Sequence, residues 1–305
     1  MKSFLDSEQL DRPTLERLLD DADRFREVLE RPIAKVPTLR GKTVATLFFE
    51  PSTRTRLSFE RAAKALSADT MSFSPGTSSL SKGESLKDTV QTIAAMGADL
   101  LVVRHRSVGA PARVAAWTGL PVVNGGDGAH QHPTQGLLDA LTIRRALGRV
   151  EGLRVAIVGD IAHSRVARSG VFTLATLGAQ VVLVAPRTLL PVSVEGWPCE
   201  VTTDFDEVLE TLDVVYLLRV QTERGGATVF PSVREYLRRY GMTRQRFARL
   251  GPDAVVLHPG PMNRGVEIEA AVADDPRALV LEQVTNGVAA RMSVLYHLLG
   301  SPEHA

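Results

Sequence analysis

A chain of 305 residues, 44% hydrophobic and 23% charged, is long enough for two cores and has a globular composition, which excludes the disordered and fibrous classes. A net charge of +1 leaves no basic footprint for nucleic acid, and no run of 18 apolar residues offers a membrane span. The single cysteine, Cys199, excludes an intrachain disulfide and a thiolate zinc site, and sits beside a Trp-Pro pair where no catalytic role is expected.

The N-terminus, MKSFLDSEQLDR, lacks the apolar stretch of a signal peptide, so a cytoplasmic setting is expected. Leucines at helical spacing and an acidic start predict a helix within 6–29. TVATLFF (43–49) is a short buried strand ending at Glu50-Pro51, and 53–67 reads as a helix. Residues 76–85, GTSSLSKGES, form a polar loop; Lys82 is followed by glycine, so the phosphate-loop pattern is absent. A helix at 84–96, the strand LLVVRH (100–105), a helix at 111–118 and the strand PVVNGG (121–126) complete a first block. PTQGLLDALTIRRALG (133–148) is a further helix. A second block opens with LRVAIVGD (153–160), continues through a helix at 164–178, and adds the strands QVVLVAP (180–186), DVVYLLR (213–219) and AVVLHPG (254–260). The last helix, 286–299, is amphipathic.

This alternation predicts an α/β fold with two doubly wound domains, each a central parallel sheet flanked by helices, joined by bridging helices. The expected boundaries are 1–132 for the first domain, with 286–305 packing back onto it, 133–149 for a bridging helix and 150–285 for the second domain. Ligands of doubly wound sheets bind beyond the carboxyl ends of the strands. Those ends are Ser52-Thr53-Arg54-Thr55, Arg104-His105, Gly125-Gly126-Asp127, Asp160 to Arg165, Arg219-Val220-Gln221 and His258-Pro259-Gly260-Pro261. Four of the six carry an arginine, a planar fork suited to phosphate and carboxylate. Ser52 or Thr53 stands at a helix N-cap, where first-turn amides and the helix dipole suit an anion. Taken alone, the stretch reads first as an ordinary cap with solvated arginines. His130 and His132 have no third ligand nearby, so no metal is expected. VAIVGDIAHSR holds one glycine, so no dinucleotide site is expected, and no cofactor is implied.

Four segments in order, FFEPSTRTRLSFE (48–60), HPTQGLLD (132–139), RVQTER (219–224) and HPGPMNRGVEI (258–268), resemble the aspartate carbamoyltransferase catalytic chains within the wider transcarbamoylase family. The resemblance runs from about residue 40 to 295. It implies that Ser52, Thr53, Arg54 and Thr55 bind the phosphate of carbamoyl phosphate, and that Thr55, Arg104, His132 and Gln135 surround the carbamoyl group. It implies that a neighbouring subunit lends Ser78 and Lys82, which makes the protein a homotrimer with shared active sites. Arg165 and Arg219, with Gln221, would take the two carboxylates of L-aspartate, and Gly260 and Pro261 would contact it through backbone carbonyls. Glu50 would pair with Arg165 and Arg224 on domain closure. Ornithine enzymes carry an H-C-L-P motif where this chain has His258-Pro259-Gly260-Pro261, which disfavours ornithine. The implied reaction is carbamoyl transfer to the α-amine of aspartate, an early step of de novo pyrimidine biosynthesis. Dihydroorotase or regulatory chains stand as candidate partners. A transcarbamoylase for another amine, and a catalytically silent homologue, are the competing readings.

Overall fold

A computed structural model of the chain describes residues 1–73, 84–220 and 232–300. In chain order it contains α1 (Arg12–Glu30), β1 (Thr43–Phe48), α2 (Thr53–Ala65), β2 (Asp69–Phe73), α3 (Leu86–Ala95), β3 (Leu100–His105), α4 (Ala110–Thr118), β4 (Val122–Asp127) and α5 (Pro133–Leu147). There follow β5 (Arg154–Val158), α6 (Arg165–Thr176), β6 (Gln180–Val184), β7 (Glu200–Thr202), α7 (Phe205–Val208), β8 (Val214–Leu217), α8 (Val233–Tyr240), α9 (Arg244–Arg249), β9 (Val255–Leu257), α10 (Ala270–Ala273) and α11 (Val280–Leu299). The chain divides into two compact units, 1–141 with 285–305, and 142–284. The divisions fall inside α5 and α11.

Unit 1 holds a parallel sheet of order β2-β1-β3-β4. Strand residues alternate faces. Ala45, Leu47, Leu101, Val103 and Val122 form one buried cluster with Val90 of α3 and Val114 of α4. The intervening Val44, Leu100, Val102 and Val123 are equally buried on the opposite face, which is why these strands read as continuous apolar runs. β2 is absent from the sequence-based expectations because it is an edge strand with a half-exposed pattern and a polar sequence, DTMSF. Beyond β4, Phe4 forms an isolated parallel bridge, its N–H donating to Val122 O at 2.8 Å.

Unit 2 holds a parallel sheet of order β7-β6-β5-β8-β9. β6, β8 and β9 are almost wholly buried, as is β5 after its first residue. The three-residue β7 falls on the strand-like stretch after Cys199, while the short, arginine-rich helices α8 and α9 are not expected from sequence. α11 begins six residues before the expected start at 286, because Leu281 and Val284 are exposed there and break the apolar pattern.

A buried arginine pins α9 to α7. Arg246 donates from Nε to Asp206 Oδ1 at 3.0 Å and from Nη2 to Oδ2 at 2.7 Å, and lies over the Phe205 ring at 5.4 Å. Arg249 Nη1 adds a bond to Asp206 Oδ1 at 2.8 Å. The hydrogen bond from Arg246 is the main reason the Asp206 carboxyl titrates below its ordinary value. Its folded pKa is depressed, so the stabilisation is complete above the unfolded value near 3.8 and is lost as pH falls through the still lower folded value. Asp206→Ala should cost about 2 kcal/mol at pH 7, less than for a fully buried pair because Asp206 is half exposed. Urea denaturation at pH 7 and below pH 3 checks this, since the difference between variant and parent should shrink in acid.

Candidate active site

Strand order turns scattered motifs into a site. In unit 1 the order reverses between β1 and β3, and the crevice at such a reversal is where doubly wound sheets bind ligands. Phe48 and Arg104 are partners across this pair, and Phe49 N–H donates to Arg104 O at 2.8 Å. Glu50 follows, with its carboxylate 3.6 Å from Arg104 Nε. Arg104 Nη1 also donates to Gly125 O at 3.2 Å, so the side chain reaches the end of β4. The next residue, His105, accepts at Nδ1 from Ser107 N–H at 2.9 Å. Burial first, then the neighbouring Arg106, lowers its pKa and favours the neutral ring.

α2 starts in the same crevice. Ser52 occupies the N-cap position with φ −160°, but its hydroxyl makes no capping hydrogen bond. By contrast, Asp11, Ser85, Ser164, Ser232 and Thr243 all cap their helices through the side chain. Ser52 is thus the N-cap residue as expected, and the side-chain bond that an ordinary cap would make is not formed. Thr53 and Arg54 are exposed, Ser52 is half-buried and Thr55 is buried. Arginine in the first turn of a helix opposes the macrodipole, and an arriving anion relieves that conflict.

The loop after β4 is built by Asp127, buried to 1% exposure. Its Oδ1 accepts from Asn124 Nδ2 at 2.8 Å and Gln131 N–H at 3.0 Å, and its Oδ2 from Gly109 N–H at 2.8 Å. His130 Nδ1 lies 3.1 Å from the same oxygen. Burial raises the pKa of this carboxyl, but the bonds from His130, Asn124 and Gly109 outweigh it and hold it below its ordinary value. The loop thereby delivers buried His132 to the start of α5, with Gln135 a turn along.

In unit 2 the order reverses between β5 and β8. Gly159, at the end of β5, has φ +127°, and a Cβ there would meet Tyr236 Oη at 3.0 Å and Leu218 O at 3.1 Å, so only glycine serves. Asp160 holds the following turn, its Oδ1 2.8 Å from His163 Nδ1. Ser164 caps α6, whose first residue is Arg165, 9% exposed. Arg219 lies just past the end of β8. After β9, buried His258 accepts at Nδ1 from Gly260 N–H at 2.8 Å, and its Nε2 lies 3.1 Å from Glu267 Oε1. Asn263 Nδ2 donates to Val220 O at 3.3 Å, which ties this loop to the end of β8. Gly260 has φ +60°, in the left-handed region that glycine adopts without strain.

Glu50, Ser52, Thr53, Arg54, Thr55, Arg104, His132 and Gln135 thus share the carboxyl edge of the first sheet. Arg165, Arg219, Gly260 and Pro261 share that of the second. Ser78, Lys82, Gln221 and Arg224 lie outside the described residues. Sequence reasoning places Asp127 at a strand end without its loop-building role, and misses Asn263 and Glu267, whose hydrogen bonds shape the loop after β9. A cavity of about 280 Å³ beside Leu47, Met71, Phe73, Ile93 and Met96 is mainly apolar and gathers none of these charges. Among the described residues there is no cluster of acidic, histidine or cysteine side chains able to hold a metal ion. Nor is any helix among them long and apolar enough to cross a membrane.

Two family models cover nearly the whole chain: aspartate/ornithine carbamoyltransferase, carbamoyl-P binding domain, over residues 2–145, and the Asp/Orn binding domain of the same family over residues 151–298. The chain belongs to the aspartate/ornithine carbamoyltransferase family. Within this carbamoyltransferase family it is 60% identical, over 304 residues, to an aspartate carbamoyltransferase catalytic subunit of Thermobifida fusca, covering 100% of this chain and 97% of the relative. Its structure resembles an aspartate transcarbamoylase from Trypanosoma cruzi in complex with N-(phosphonacetyl)-L-aspartic acid, with TM-score 0.89, 32% identity, and 98% and 96% of the two chains covered. The catalytic subunit of M. jannaschii aspartate transcarbamoylase matches with TM-score 0.86 and 34% identity over 100% of both chains. The carbamoyl-P binding model spans the β1/β3 crevice and the Asp/Orn binding model the β5/β8 crevice.

Proposed function

We propose that the chain transfers the carbamoyl group of carbamoyl phosphate to the α-amine of L-aspartate, giving N-carbamoyl-L-aspartate and phosphate. One observation carries the assignment. Each strand-order reversal gathers arginines, and the two sets suit different anions. In unit 1, the first turn of α2 with Ser52, Thr53, Arg54 and Thr55 suits a phosphate, and Arg104 and His132 can donate to a carbonyl oxygen. In unit 2, Arg165 and Arg219 stand at two separate strand ends, as a dicarboxylate requires.

Unit 1 is then the carbamoyl-phosphate-binding domain and unit 2 the aspartate-binding domain. The neutral α-amine attacks the carbamoyl carbon, a C–N bond forms, and negative charge builds on the carbonyl oxygen. Thr55, Arg104 and His132 stabilise that oxyanion, and such electrostatic stabilisation is usually the chief source of acceleration in acyl transfer. Gln135 accepts from the carbamoyl NH₂. The C–O bond to phosphate breaks, and the departing phosphate takes the amine proton. Holding both substrates in place supplies the remaining acceleration. Gly260 and Pro261 offer backbone carbonyls to aspartate, and Gln221 assists Arg219.

The reading extends to a homotrimer in which Ser78 and Lys82 complete a neighbour's site, to a cytoplasmic location, and to a place early in pyrimidine synthesis. Light scattering on the purified chain measures the first of these. Description of the relatives as catalytic subunits makes a regulatory chain the partner to seek, with dihydroorotase second. Phosphate release measured with aspartate, ornithine and putrescine as acceptors tests the function directly. Turnover is expected with aspartate alone; turnover with ornithine or putrescine instead, or none with any acceptor, overturns it.

A further inference from the structure

α5 carries a carboxylate with no solvent contact one turn beyond Gln135. Asp139 is 0% exposed, and its Oδ1 accepts a hydrogen bond from Gln135 Nε2 at 3.0 Å. A buried carboxylate needs a compensating charge. Asp139 acts electrostatically on a buried cation of the same unit, Arg291 of α11. Arg291 is fixed in turn: Nη1 donates to Ser58 Oγ and to Gly287 O, each at 2.9 Å, and the guanidinium lies over the Phe59 ring at 5.1 Å. Burial lowers its pKa to about 10, with Asp139 opposing the shift, so it remains a cation at neutral pH. Ser58 and Phe59 belong to α2, one turn past Thr55. The set therefore joins α5, α11 and α2 behind the β1/β3 crevice, wholly within unit 1.

A glutamine amide can present either its NH₂ or its carbonyl oxygen to a ligand. A carboxylate only accepts. Bonding to Asp139 therefore commits Nε2 and turns Oε1 to the other side of the amide as an acceptor. A carbamoyl group differs from an acetyl group in carrying an NH₂, a donor, where acetyl carries a methyl. Resting on the reading that Gln135 faces the carbamoyl group, we propose that Asp139 is a specificity-determining positioning residue. It fixes Gln135 Oε1 as the acceptor for the carbamoyl NH₂, and so selects carbamoyl over acetyl phosphate.

A purely structural Asp139 would only neutralise Arg291, and its loss would weaken all ligands alike. Stable probes separate the two roles. Phosphonoacetamide and acetonylphosphonate differ only in NH₂ against CH₃, and inorganic phosphate reports the phosphate grip alone. Calorimetric titration of the full chain in its native assembly would compare the parent with Asp139→Leu, whose side chain cannot accept from Gln135 Nε2. The double variant Asp139→Leu/Arg291→Met removes both buried charges and keeps the test valid where the single variant does not fold. One hydrogen bond is at stake, so affinity for phosphonoacetamide should fall about tenfold. Affinities for acetonylphosphonate and phosphate should stay within about twofold of the parent, the scale of a change unconnected with that bond. An unchanged amide-to-ketone ratio, whether all three ligands weaken together or none does, overturns the proposal. Gln135→Leu isolates the underlying reading: if that variant still prefers the amide, Gln135 does not face the carbamoyl group, and the failure lies there rather than with Asp139.

Discussion

Replacing Arg54 by alanine is expected to lower kcat roughly 100- to 1,000-fold, the scale of losing one preorganised donor to a developing charge. Arg54 stands in the first turn of α2, beside the strand-order reversal of unit 1, and its side chain is exposed. Its removal therefore leaves the packing of α2 on the sheet, through Phe59, Ala62 and Ala63, as it was. The melting temperature should not move, and far-UV circular dichroism should be unchanged. The loss should appear in kcat more than in KM for aspartate, because the charge it meets grows as phosphate departs. Steady-state phosphate release measures it. A kcat within a factor of about three of the parent would leave no room for the donor role, given the usual size of the effect.

The second large effect is expected at Arg219. It lies just past β8 at the reversal of the second sheet, beside the loop that Asn263 anchors to Val220 O. A forked, charge-assisted contact to a carboxylate contributes about 2–5 kcal/mol when one partner is removed. At about 1.4 kcal/mol per factor of ten, Arg219→Ala should raise KM for aspartate about 30-fold or more. Carbamoyl phosphate binding should be unaffected, because the groups assigned to it all lie in unit 1. Equilibrium titration with carbamoyl phosphate and saturation curves in aspartate separate the two quantities. Weakening of carbamoyl phosphate alone would reverse the assignment of the two units.

Much of this architecture is legible in the residues alone. TVATLFF, LLVVRH and LRVAIVGD are short apolar runs bounded by glycine, proline or charge, and parallel strands covered on both faces look like that. The residues after them fall in place for the same reason, since a strand must end where its apolar run ends. β2 is less legible, because an edge strand has no buried run to display. Glu267 is illegible: it gains meaning only through His258, nine residues away and across a turn. Asp139 is visible as the i+4 neighbour of Gln135, but the cation it acts on, Arg291, comes 152 positions later in the chain (291 − 139).

The sequence by itself determined the long strands and helices, the arginines at the strand ends and the motifs of the family, because local periodicity and residue type suffice for these. Only the tertiary structure decided which strand ends become neighbours. β1 lies beside β3 and β5 beside β8 because strand order is set by how the helices pack over the sheet, a choice that no local stretch encodes. It also decided that Ser52 leaves the first turn of α2 without a side-chain cap, and that Asp127 and Asp139 hold His132 and Gln135 in place. Those outcomes rest on hydrogen bonds and buried charges between residues distant in the chain, whose strength depends on burial that only the folded molecule provides.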